Sequence, residues 1–505
     1  MKLGSLLKPL GEALRTNCSD RSISGLALDS RQVRPGHLFA VVPGPRCDGA
    51  RYVPDAISRG AVAILAARKM AVPGHIALVV VPDVRQALAD LCCRFHGRPA
   101  DLVKTVGVTG TNGKTTVATL VHDLLATAGK QAALLSTVVH QVGTRRIASG
   151  NTTPESPELQ AFFAEMVERR IGHAVMEVSS HSLAQDRVRG IPFEVGAYTN
   201  ATPHEHLDYH VTFESYLAAK ARLFESLAPE ATAVVNADDP HCAYFVERRG
   251  RGKVMSYGLQ GGADVSANIE TMSLAGTALR LSTPQGQRRV HSPLIGGYNV
   301  QNLLAGTCCA LALGLDLSTI AEGIERFAGA RGRLERVDAG QPFSVLVDYA
   351  HNNDGLRSVL STLRPLAAPG RLIAVFGCGG DRDRSKRPLM GATASRLAHV
   401  TVLTADNSRS EHTEEILMAI VAGLDPKAQC LVEPDRREAI RKAIGLAEPG
   451  DLVLIAGKGH ETYQEIDGVR YPFDDCDEAR RALQSLALRR AREAGRSALS
   501  ATGIG

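Results

Sequence analysis

The sequence VKTVGVTGTNGKTT occupies residues 103–116 and decides the fold. Residues 103–108 form an apolar run of strand length that breaks into a glycine-rich turn, and a helical pattern follows over residues 117–128. A glycine-rich loop between a buried strand and a helix is the setting in which backbone N–H groups bind phosphate oxygens. This stretch therefore predicts a nucleotide-binding domain built on a sheet.

The side chains of this loop suit ATP and Mg²⁺. Lys114 provides a point charge for the phosphates, and the hydroxyl of Thr115 can ligate Mg²⁺. The loop departs from the general G-x-x-x-x-G-K-T pattern, because Val108 occupies the position of the first glycine. The residues that we expect at the nucleotide are Gly110, Thr111, Asn112, Gly113, Lys114, Thr115 and Thr116.

Three segments of the chain differ in sequence pattern, which predicts domains at residues 1–102, 103–332 and 333–505. Each alternates short apolar runs with helical patterns, which predicts an α/β fold with mostly parallel sheets. The apolar runs lie at residues 61–67, 76–81, 103–108, 174–178, 195–199, 231–236, 344–347, 372–376, 400–404 and 452–456.

The composition is that of an ordinary globular protein. Of its 505 residues, 44% are hydrophobic and 22% are charged, and Lys plus Arg exceed Asp plus Glu by 58 − 53 = 5. This mild positive charge suits a small anionic substrate, and no basic stripe with interleaved aromatics indicates nucleic acid. No apolar run reaches the roughly 20 residues of a membrane span.

The cysteines and the start of the chain favour a reduced, cytoplasmic setting. The ten cysteines include no CxxC spacing, so neither a zinc ribbon nor a thioredoxin-type motif is predicted. We expect the pairs Cys92-Cys93 and Cys308-Cys309 to be small buried hydrophobes in helices. Residues 1–14 contain no uninterrupted apolar stretch of the kind that a signal peptide needs.

A candidate metal site follows the strand at residues 174–178. Glu177 stands at the end of this strand and is a plausible Mg²⁺ ligand. Residues 204–210 read HEHLDYH, and one of these histidines is expected at the metal. No HExxH spacing occurs, which excludes a zinc-protease interpretation. Lys220 lies in a helical pattern further on, and by this pattern alone it would be a surface lysine.

The third segment places glycines and cations directly after its strands. In open α/β sheets ligands bind beyond the carboxyl ends of the strands, and Arg side chains there recognise carboxylate or phosphate groups. The cationic residues in these positions are Arg382, Arg384, Lys386, Arg387 and Arg409.

Over roughly residues 24–483 the chain resembles the Mur ligases, the ATP-dependent amide-forming enzymes of peptidoglycan synthesis. The shared motifs, in family order, are LDSR at 28–31, the loop at 110–116, NTT at 151–153, EVSSH at 177–181, HLDYH at 206–210, GCGGDRDR at 377–384 and GKGHE at 457–461. The resemblance implies an N-terminal substrate domain, a central P-loop-type sheet domain for ATP and a C-terminal Rossmann-like domain for an amino acid.

The implied reaction joins meso-diaminopimelate to UDP-N-acetylmuramoyl-L-alanyl-D-glutamate through an acyl phosphate, in a cytoplasmic monomer. The resemblance also implies roles for particular residues. Those implied for the UDP-substrate are Leu28, Ser30, Asn151, Thr152, Thr153, Ser179, Gln185 and Arg187, and those for the adenosine part of ATP are Asn299 and Asp348. The implied Mg²⁺ ligands are Thr115, Glu177, His206 and Lys220 as a carbamate, with catalytic roles for Lys114, Lys220 and His206. The implied amino-acid pocket comprises Arg382, Asp406, Asn407, Ser408, Arg409, Gly457 and Glu461.

Four short departures from the family pattern leave alternatives open. Residues 406–409 read DNSR where the family usually has DNPR, residues 351–354 read HNND in place of HTPD, HE replaces RD at 204–205, and PRC at 45–47 departs at the UDP-facing loop. Arg409 favours diaminopimelate over lysine, because its guanidinium can pair with the second carboxylate. The alternatives are a Mur-like amide ligase with another amine or carboxylate substrate, and a nucleotide-binding scaffold without catalysis.

Overall fold

Contacts within the chain divide it into two compact units. The computed structural model describes residues 1–10, 14–16, 21–44, 48–203 and 207–501. Unit 1 comprises Met1–Ala267, Leu281–Arg288 and Gln301–Gly323, and unit 2 comprises Asn268–Arg280, Arg289–Val300 and Ile324–Gly505. This division is into two parts, so the domain limits at residues 102 and 332 stay a prediction.

The first sheet of unit 1 is buried on both faces. Its strands are β1 (Leu14–Thr16), β2 (Gly25–Ala27), β3 (His37–Ala40), β4 (Ala63–Ala66) and β5 (Ala77–Val80), and its helices are α1 (Leu3–Leu6), α2 (Val53–Ser58) and α3 (Val84–Phe95). The strand order is β1-β5-β4-β3-β2, with only β1 antiparallel to its neighbour among these strands. Along β4, Ala63 and Leu65 enter one core whereas Ile64 and Ala66 enter the other. Alternation of this kind is what a sheet covered on both sides requires.

The second sheet surrounds the phosphate-loop strand. Its strands are β6 (Lys104–Thr109), β7 (Ala132–Leu135), β8 (Val139–Val142), β9 (Arg145–Ala148), β10 (His173–Glu177), β11 (Phe193–Tyr198), β12 (Thr232–Asn236), β13 (Lys253–Gly258), β14 (Val265–Ser273), β15 (Gly276–Thr283) and β16 (Gly286–Ser292). Parallel strands β10 and β11 flank β6, which places three strand ends beside the loop at residues 110–113. The boundary between the units passes through β14, β15 and β16.

Helices cover this sheet and continue the chain beyond it. They are α4 (Lys114–Thr127), α5 (Ser156–Glu168), α6 (Ser180–Ala184), α7 (Leu207–His210), α8 (Phe213–Glu225), α9 (Cys242–Arg249), α10 (Gly297–Ala312) and α11 (Leu317–Arg326). The predicted helix at 117–128 begins three residues earlier, at Lys114, because Gly113 adopts a positive φ of 87° and turns the chain directly into the helix.

The sheet of unit 2 is also mainly parallel. Its strands run in the order β17 (Glu335–Arg336), β18 (Ser344–Asp348), β22 (Leu452–Ala456), β19 (Leu372–Phe376), β20 (Val400–Leu403) and β21 (Cys430–Val432), and β23 (Tyr463–Ile466) and β24 (Val469–Pro472) form a hairpin. The helices are α12 (Asn353–Ala367), α13 (Lys386–Leu397), α14 (Thr413–Val421), α15 (Arg436–Leu446) and α16 (Asp475–Ala501). The carboxyl ends of β18, β19, β20 and β22 lie at one edge, because these strands are parallel neighbours.

The α/β fold class is confirmed, and each apolar run named from the sequence coincides with a strand of the structure. The two cysteine pairs are buried, in α3 and α10. Across the described ranges, no helix combines the length and the apolar character needed to span a bilayer.

The central core supports a test of stability. Phe163 of α5 is 0% exposed within the main hydrophobic cluster of unit 1, so Phe163→Ala removes a whole ring from a packed site. We expect the free energy of unfolding to fall by about 3–5 kcal/mol, measured by urea denaturation. Leu102→Ala is the control, because Leu102 is 70% exposed. Equal stability of the two variants would contradict the packing described.

Candidate active site

Hydrogen bonds tie the loop at residues 110–113 to the two residues that follow β11. Thr199 donates to the carbonyl of Asn112 at 2.6 Å, and the side chain of Asn200 accepts from the backbone N–H of Asn112 at 2.9 Å. Gly110 has a φ of 149°, and a Cβ there would overlap with the Thr199 hydroxyl. The backbone therefore requires glycine at position 110, where the chain passes close to Thr199.

The side chain of Lys114 folds back over this loop. Its Nζ donates to the carbonyls of Gly110 at 2.9 Å and Thr111 at 3.0 Å. The hydroxyl of Thr111 accepts from the N–H of Thr202 at 3.0 Å and lies 2.9 Å from the hydroxyl of Tyr216. The ammonium thus stands directly above the loop that would receive the phosphates.

Glu177 is the centre of a buried hydrogen-bond network. Its carboxylate accepts from the Thr115 hydroxyl at 2.9 Å, the Thr137 N–H at 2.8 Å and the Thr137 hydroxyl at 3.0 Å. Glu177 is 1% exposed, and the parallel register of β10 with β6 pairs it with Val108, just before the loop. The structure therefore brings Thr115 and Glu177 together, and their role as Mg²⁺ ligands stays a prediction.

Lys220 lies inside the protein, so the prediction of a surface lysine made from the helical pattern alone is wrong. It is 1% exposed in α8, with its Nζ 4.3 Å from the centroid of the Tyr216 ring. Burial, together with the positive charge of Lys114, holds the pKa of Lys220 far below its ordinary value. A buried amine with a low pKa is a good nucleophile at neutral pH.

The prediction for His206 lies outside the described residues, as do His204, Glu205 and the departure at residues 45–47. Within the ranges that the structure covers, no group of three or more His, Cys, Asp or Glu side chains forms a ready-made metal cluster.

Thr153, Ser179 and Arg187 lie together beside Glu177. The Thr153 hydroxyl donates to the Glu177 carbonyl at 2.9 Å and accepts from the Ser179 N–H at 3.1 Å. Arg187 donates to the Thr153 carbonyl at 3.0 Å and to the side-chain oxygen of Gln185 at 2.7 Å. Four of the residues expected at the UDP-substrate thus form one connected surface.

The other residues expected at the UDP-substrate are placed as follows. The Thr152 hydroxyl lies 3.1 Å from the Thr137 hydroxyl, which links it to the network of Glu177. Asn151 is exposed, Leu28 is half-buried, and Ser30 is buried at the start of a short helical turn that Asp29 caps.

The predicted amino-acid pocket is a cluster of buried charges in unit 2. Lys458 is 0% exposed and donates to the side chains of Asn407 at 2.9 Å and Glu461 at 3.1 Å. Asn407 also donates to Glu461 at 2.8 Å. Burial raises the pKa of Asp406, but the charges of Lys458 and Arg436 outweigh it, so the pKa stays below its usual range.

Arg409 closes this pocket on another side. Its Nη1 donates to the carbonyl of Gly380 at 2.6 Å, and its φ of 53° turns the chain sharply after the buried Ser408. Gly457 donates its N–H to the Asp348 carbonyl at 3.1 Å. Arg382 is exposed on the loop after β19, so the structure leaves it available to a ligand.

Asn299 and Asp348, expected at adenosine, both lie in unit 2. Asp348 accepts from the N–H groups of Leu334 and Ala350, each at 2.8 Å, and burial raises its pKa although Arg333 opposes this. The amide of Asn299 donates to the Ile295 carbonyl at 2.9 Å.

Sequence reasoning missed two residues of these clusters. Thr137 provides two of the hydrogen bonds to Glu177, but it lies in a turn between β7 and β8 that carries no motif. Lys458 stands within the GKGHE sequence after β22, and its position between two glycines at a strand end was the signal for it.

Two departures from the family pattern have structural partners. Asn352 caps α12 by accepting from the Gly355 N–H at 2.7 Å. Asn353 accepts from the Thr393 hydroxyl at 2.7 Å and so ties α12 to α13.

Family models of known proteins match three successive segments of the chain. The Mur ligase family catalytic domain matches residues 22–96, the Mur ligase middle domain residues 108–310, and the Mur ligase glutamate ligase domain residues 332–459. A protein of Syntrophomonas wolfei, named UDP-N-acetylmuramoyl-L-alanyl-D-glutamate–2,6-diaminopimelate ligase, is 44% identical over 479 residues, which are 94% of this chain and 97% of that protein. The chain belongs to the Mur ligase family.

Other relatives of this Mur ligase agree. A protein of the same name from Geobacillus thermodenitrificans is 44% identical over 491 residues, covering 96% of this chain and 99% of that protein. A solved structure of a ligase with that name superposes with a TM-score of 0.66 at 36% identity, covering 92% of this chain and 95% of that one. MurF from Acinetobacter baumannii has the same TM-score at 22% identity, covering 90% and 94% of the two chains, and shows the shared fold.

The phosphate loop of this Mur ligase generates a prediction. Gly110→Ala places a methyl group against the Thr199 hydroxyl at a φ of 149°, so the loop must shift. We expect ATP affinity, measured by calorimetry, to fall at least about tenfold, in line with a strain of 1–3 kcal/mol. Gly129→Ala at the end of α4 is the control, because it also has a positive φ but open space around it. Unchanged ATP binding in Gly110→Ala would refute the proposed use of the loop.

Proposed function

We propose that this Mur ligase uses ATP to add meso-diaminopimelate to UDP-N-acetylmuramoyl-L-alanyl-D-glutamate. The observation that carries the proposal is the 44% identity, over 94% of the chain, to a ligase with that name. Each of the two candidate sites fits by itself, because unit 1 contains a glycine-rich loop suited to phosphates and unit 2 contains a pocket with both signs of charge. The reaction is placed in the cytoplasm and is carried out by a monomer.

Each segment has its own task in this proposal. Residues 1–102 hold the UDP end of the substrate through Leu28 and Ser30, residues 103–332 hold ATP and the muramoyl-dipeptide, and residues 333–505 hold the amino acid. The muramoyl-dipeptide contacts Asn151, Thr152, Thr153, Ser179, Gln185 and Arg187. The adenosine contacts Asn299 and Asp348, and the phosphates contact the loop from Gly110 to Thr116.

The donor set beside the loop fits Mg²⁺. The Thr115 hydroxyl and the Glu177 carboxylate already lie 2.9 Å apart, and hard oxygen donors are what Mg²⁺ prefers. These two residues would hold the ion together with a carbamate on Lys220 and with His206. When bound, Mg²⁺ reduces the repulsion between the anions that must meet.

The residues of the loop assist the first step. An oxygen of the substrate carboxylate forms a bond to the γ-phosphorus of ATP as the bond to the β,γ-bridging oxygen breaks, giving an acyl phosphate and ADP. Lys114 stands over the loop, where its charge stabilises the negative charge on the transferred phosphoryl group. Arg187, fixed by Thr153 and Gln185, is placed to orient the anionic substrate.

The second step joins the amino acid. The amine nitrogen forms a bond to the acyl carbon, phosphate leaves with the electrons of the C–O bond, and the amine releases a proton. The pocket for the amino acid comprises Arg382, Asp406, Asn407, Ser408, Arg409, Gly457 and Glu461. Arg409 suits the second carboxylate of diaminopimelate, because a guanidinium binds a carboxylate with two parallel hydrogen bonds. Glu461 suits an ammonium group, and Asn407 and Lys458 fix its position.

The deciding experiment measures phosphate release with ATP, Mg²⁺ and UDP-N-acetylmuramoyl-L-alanyl-D-glutamate. We expect meso-diaminopimelate to stimulate phosphate release strongly, because only diaminopimelate offers Arg409 a second carboxylate. With L-lysine, or with no amino acid, little phosphate should be released. If only L-lysine stimulates phosphate release, the amino acid added is lysine or a similar amine. Ser408 in place of proline would then be a sequence sign of this different specificity. If the protein binds ATP but releases no phosphate with either amino acid, the proposed function is refuted.

The burial of Lys220 generates a separate prediction. A neutral Lys220 amine can bond to the carbon of CO₂ and lose a proton, giving a carbamate that carries one negative charge. Lys220→Ala should therefore lower kcat by about 100-fold or more, and short-chain carboxylic acids should restore part of it. Lys253→Ala is the control, because Lys253 is exposed on β13. Full activity of Lys220→Ala without added acid would exclude the carbamate.

A further inference from the structure

Arg436 and Asp475 form a buried ion pair at the starts of two helices in unit 2. Arg436 is the first residue of α15 and Asp475 is the first residue of α16. Nε of Arg436 donates to Oδ1 of Asp475 at 2.8 Å, and Nη2 donates to Oδ2 at 2.7 Å. Both side chains are 0% exposed. Two parallel hydrogen bonds of this kind fix the plane of the guanidinium.

The guanidinium also binds two backbone carbonyls at the edge of the sheet. Nη1 donates to the carbonyl of Ala405 at 3.1 Å, and Nη2 donates to the carbonyl of Ala456 at 2.9 Å. Ala456 ends β22, and Ala405 lies two residues beyond the end of β20. The residues that follow these carbonyls are Asp406 and Gly457, which begin the two segments of the proposed amino-acid pocket.

The two segments, residues 406–409 and 457–461, are joined at one end by side chains. Lys458 and Glu461 both bond to Asn407, as described above. Where the segments begin, they approach closely, since a Cβ on Gly457 would lie 3.0 Å from Oδ2 of Asp406 and 3.9 Å from Nη2 of Arg436. Arg436 therefore bridges the two segments at their starts, through the carbonyls of Ala405 and Ala456.

Stability alone does not require this arrangement. Two charges lose their hydration when they are buried, and well-packed apolar residues of similar volume are often at least as stable as a buried ion pair. An apolar pair could not hold the carbonyls of Ala405 and Ala456 in a fixed geometry, whereas a planar guanidinium can.

We propose that Arg436, oriented by Asp475, is a positioning residue for the incoming amino acid. It fixes the two peptide groups from which Asn407, Arg409 and Glu461 extend, and it does not touch the amino acid itself. This inference rests on the proposed function, because it concerns the same pocket.

Arg436→Lys tests the proposal. Lysine keeps the positive charge but has three donors and no planar fork, so it cannot reproduce the four hydrogen bonds that Arg436 makes to Asp475 and the two carbonyls. We expect the KM for the amino acid to rise about 10- to 100-fold, the cost typical of a small displacement of binding groups. The KM values for ATP and the UDP-substrate should change little, and kcat at saturating amino acid should fall much less than kcat/KM.

Arg371→Lys is a matched control. Arg371 donates to Oδ2 of Asp451 at 3.1 and 2.7 Å and to the carbonyl of Leu446 at 2.8 Å, so the same kinds of bonds are lost. It directly precedes β19 and therefore lies at the opposite edge of the sheet from the pocket. This variant should lose stability without a change in the KM for the amino acid.

The outcomes separate the inference from the proposed function. An equal KM for the amino acid in Arg436→Lys, Arg371→Lys and wild type would overturn the positioning role while the function stands. Should Arg436→Lys not fold, Asp475→Asn replaces it, and an unchanged KM there overturns the role equally. Wild-type protein that releases no phosphate with any amino acid would refute the function, and the positioning role with it.

Discussion

The carboxylate of Glu177 is the interaction on which the central site depends. It lies at the end of β10, where the parallel register with β6 brings it beside the phosphate loop. Its hydrogen bonds hold Thr115 at the start of α4 and Thr137 in the turn after β7, so three elements meet at one side chain. A buried carboxylate without such donors would be strongly destabilising. The same bonds that stabilise Glu177 therefore shape the place where phosphates and a divalent cation would meet.

The charge arrangement differs between the two candidate sites. In unit 1, Lys220 is buried with the charge of Lys114 nearby, and this repulsion adds to the effect of burial on the Lys220 pKa. In unit 2, Lys458 and Arg436 are buried among Asp406, Glu461 and Asp475, so the positive and negative charges compensate each other. The first arrangement favours a neutral, reactive amine, whereas the second favours side chains that stay ionised and fixed in position.

Sequence reasoning located the strands and the glycine-rich turn between β6 and α4, because both are local patterns. The apolar runs at 103–108 and 174–178 are buried strands, and the glycines at 110 and 113 are needed where φ is positive. Burial of Lys220 could not be derived from its helix, since a lysine among alanines has the pattern of an exposed face until Tyr216 and Lys114 are placed around it. Thr137 and Arg436 could not be identified from the sequence for the same reason. Their partners, Glu177 and Asp475, lie about 40 residues away in sequence, and only the tertiary fold brings them into contact.

Ser408 stands where the family usually has proline, yet the loop around it is well defined in the folded protein. A serine gives the unfolded chain more freedom than a proline, which costs about 0.4–1 kcal/mol of stability. In the folded state the loop is held by its neighbours instead: Arg409 donates its N–H to the Glu465 carbonyl at 3.0 Å, and Glu465 donates its N–H to the Asn407 side chain at 2.9 Å. Because β23 holds the backbone of Arg409 and the side chain of Asn407, on either side of Ser408, the φ of 53° at Arg409 is maintained without a proline. The guanidinium can therefore keep its place beside Gly380, and the loss of proline is expected to affect stability more than the choice of amino acid.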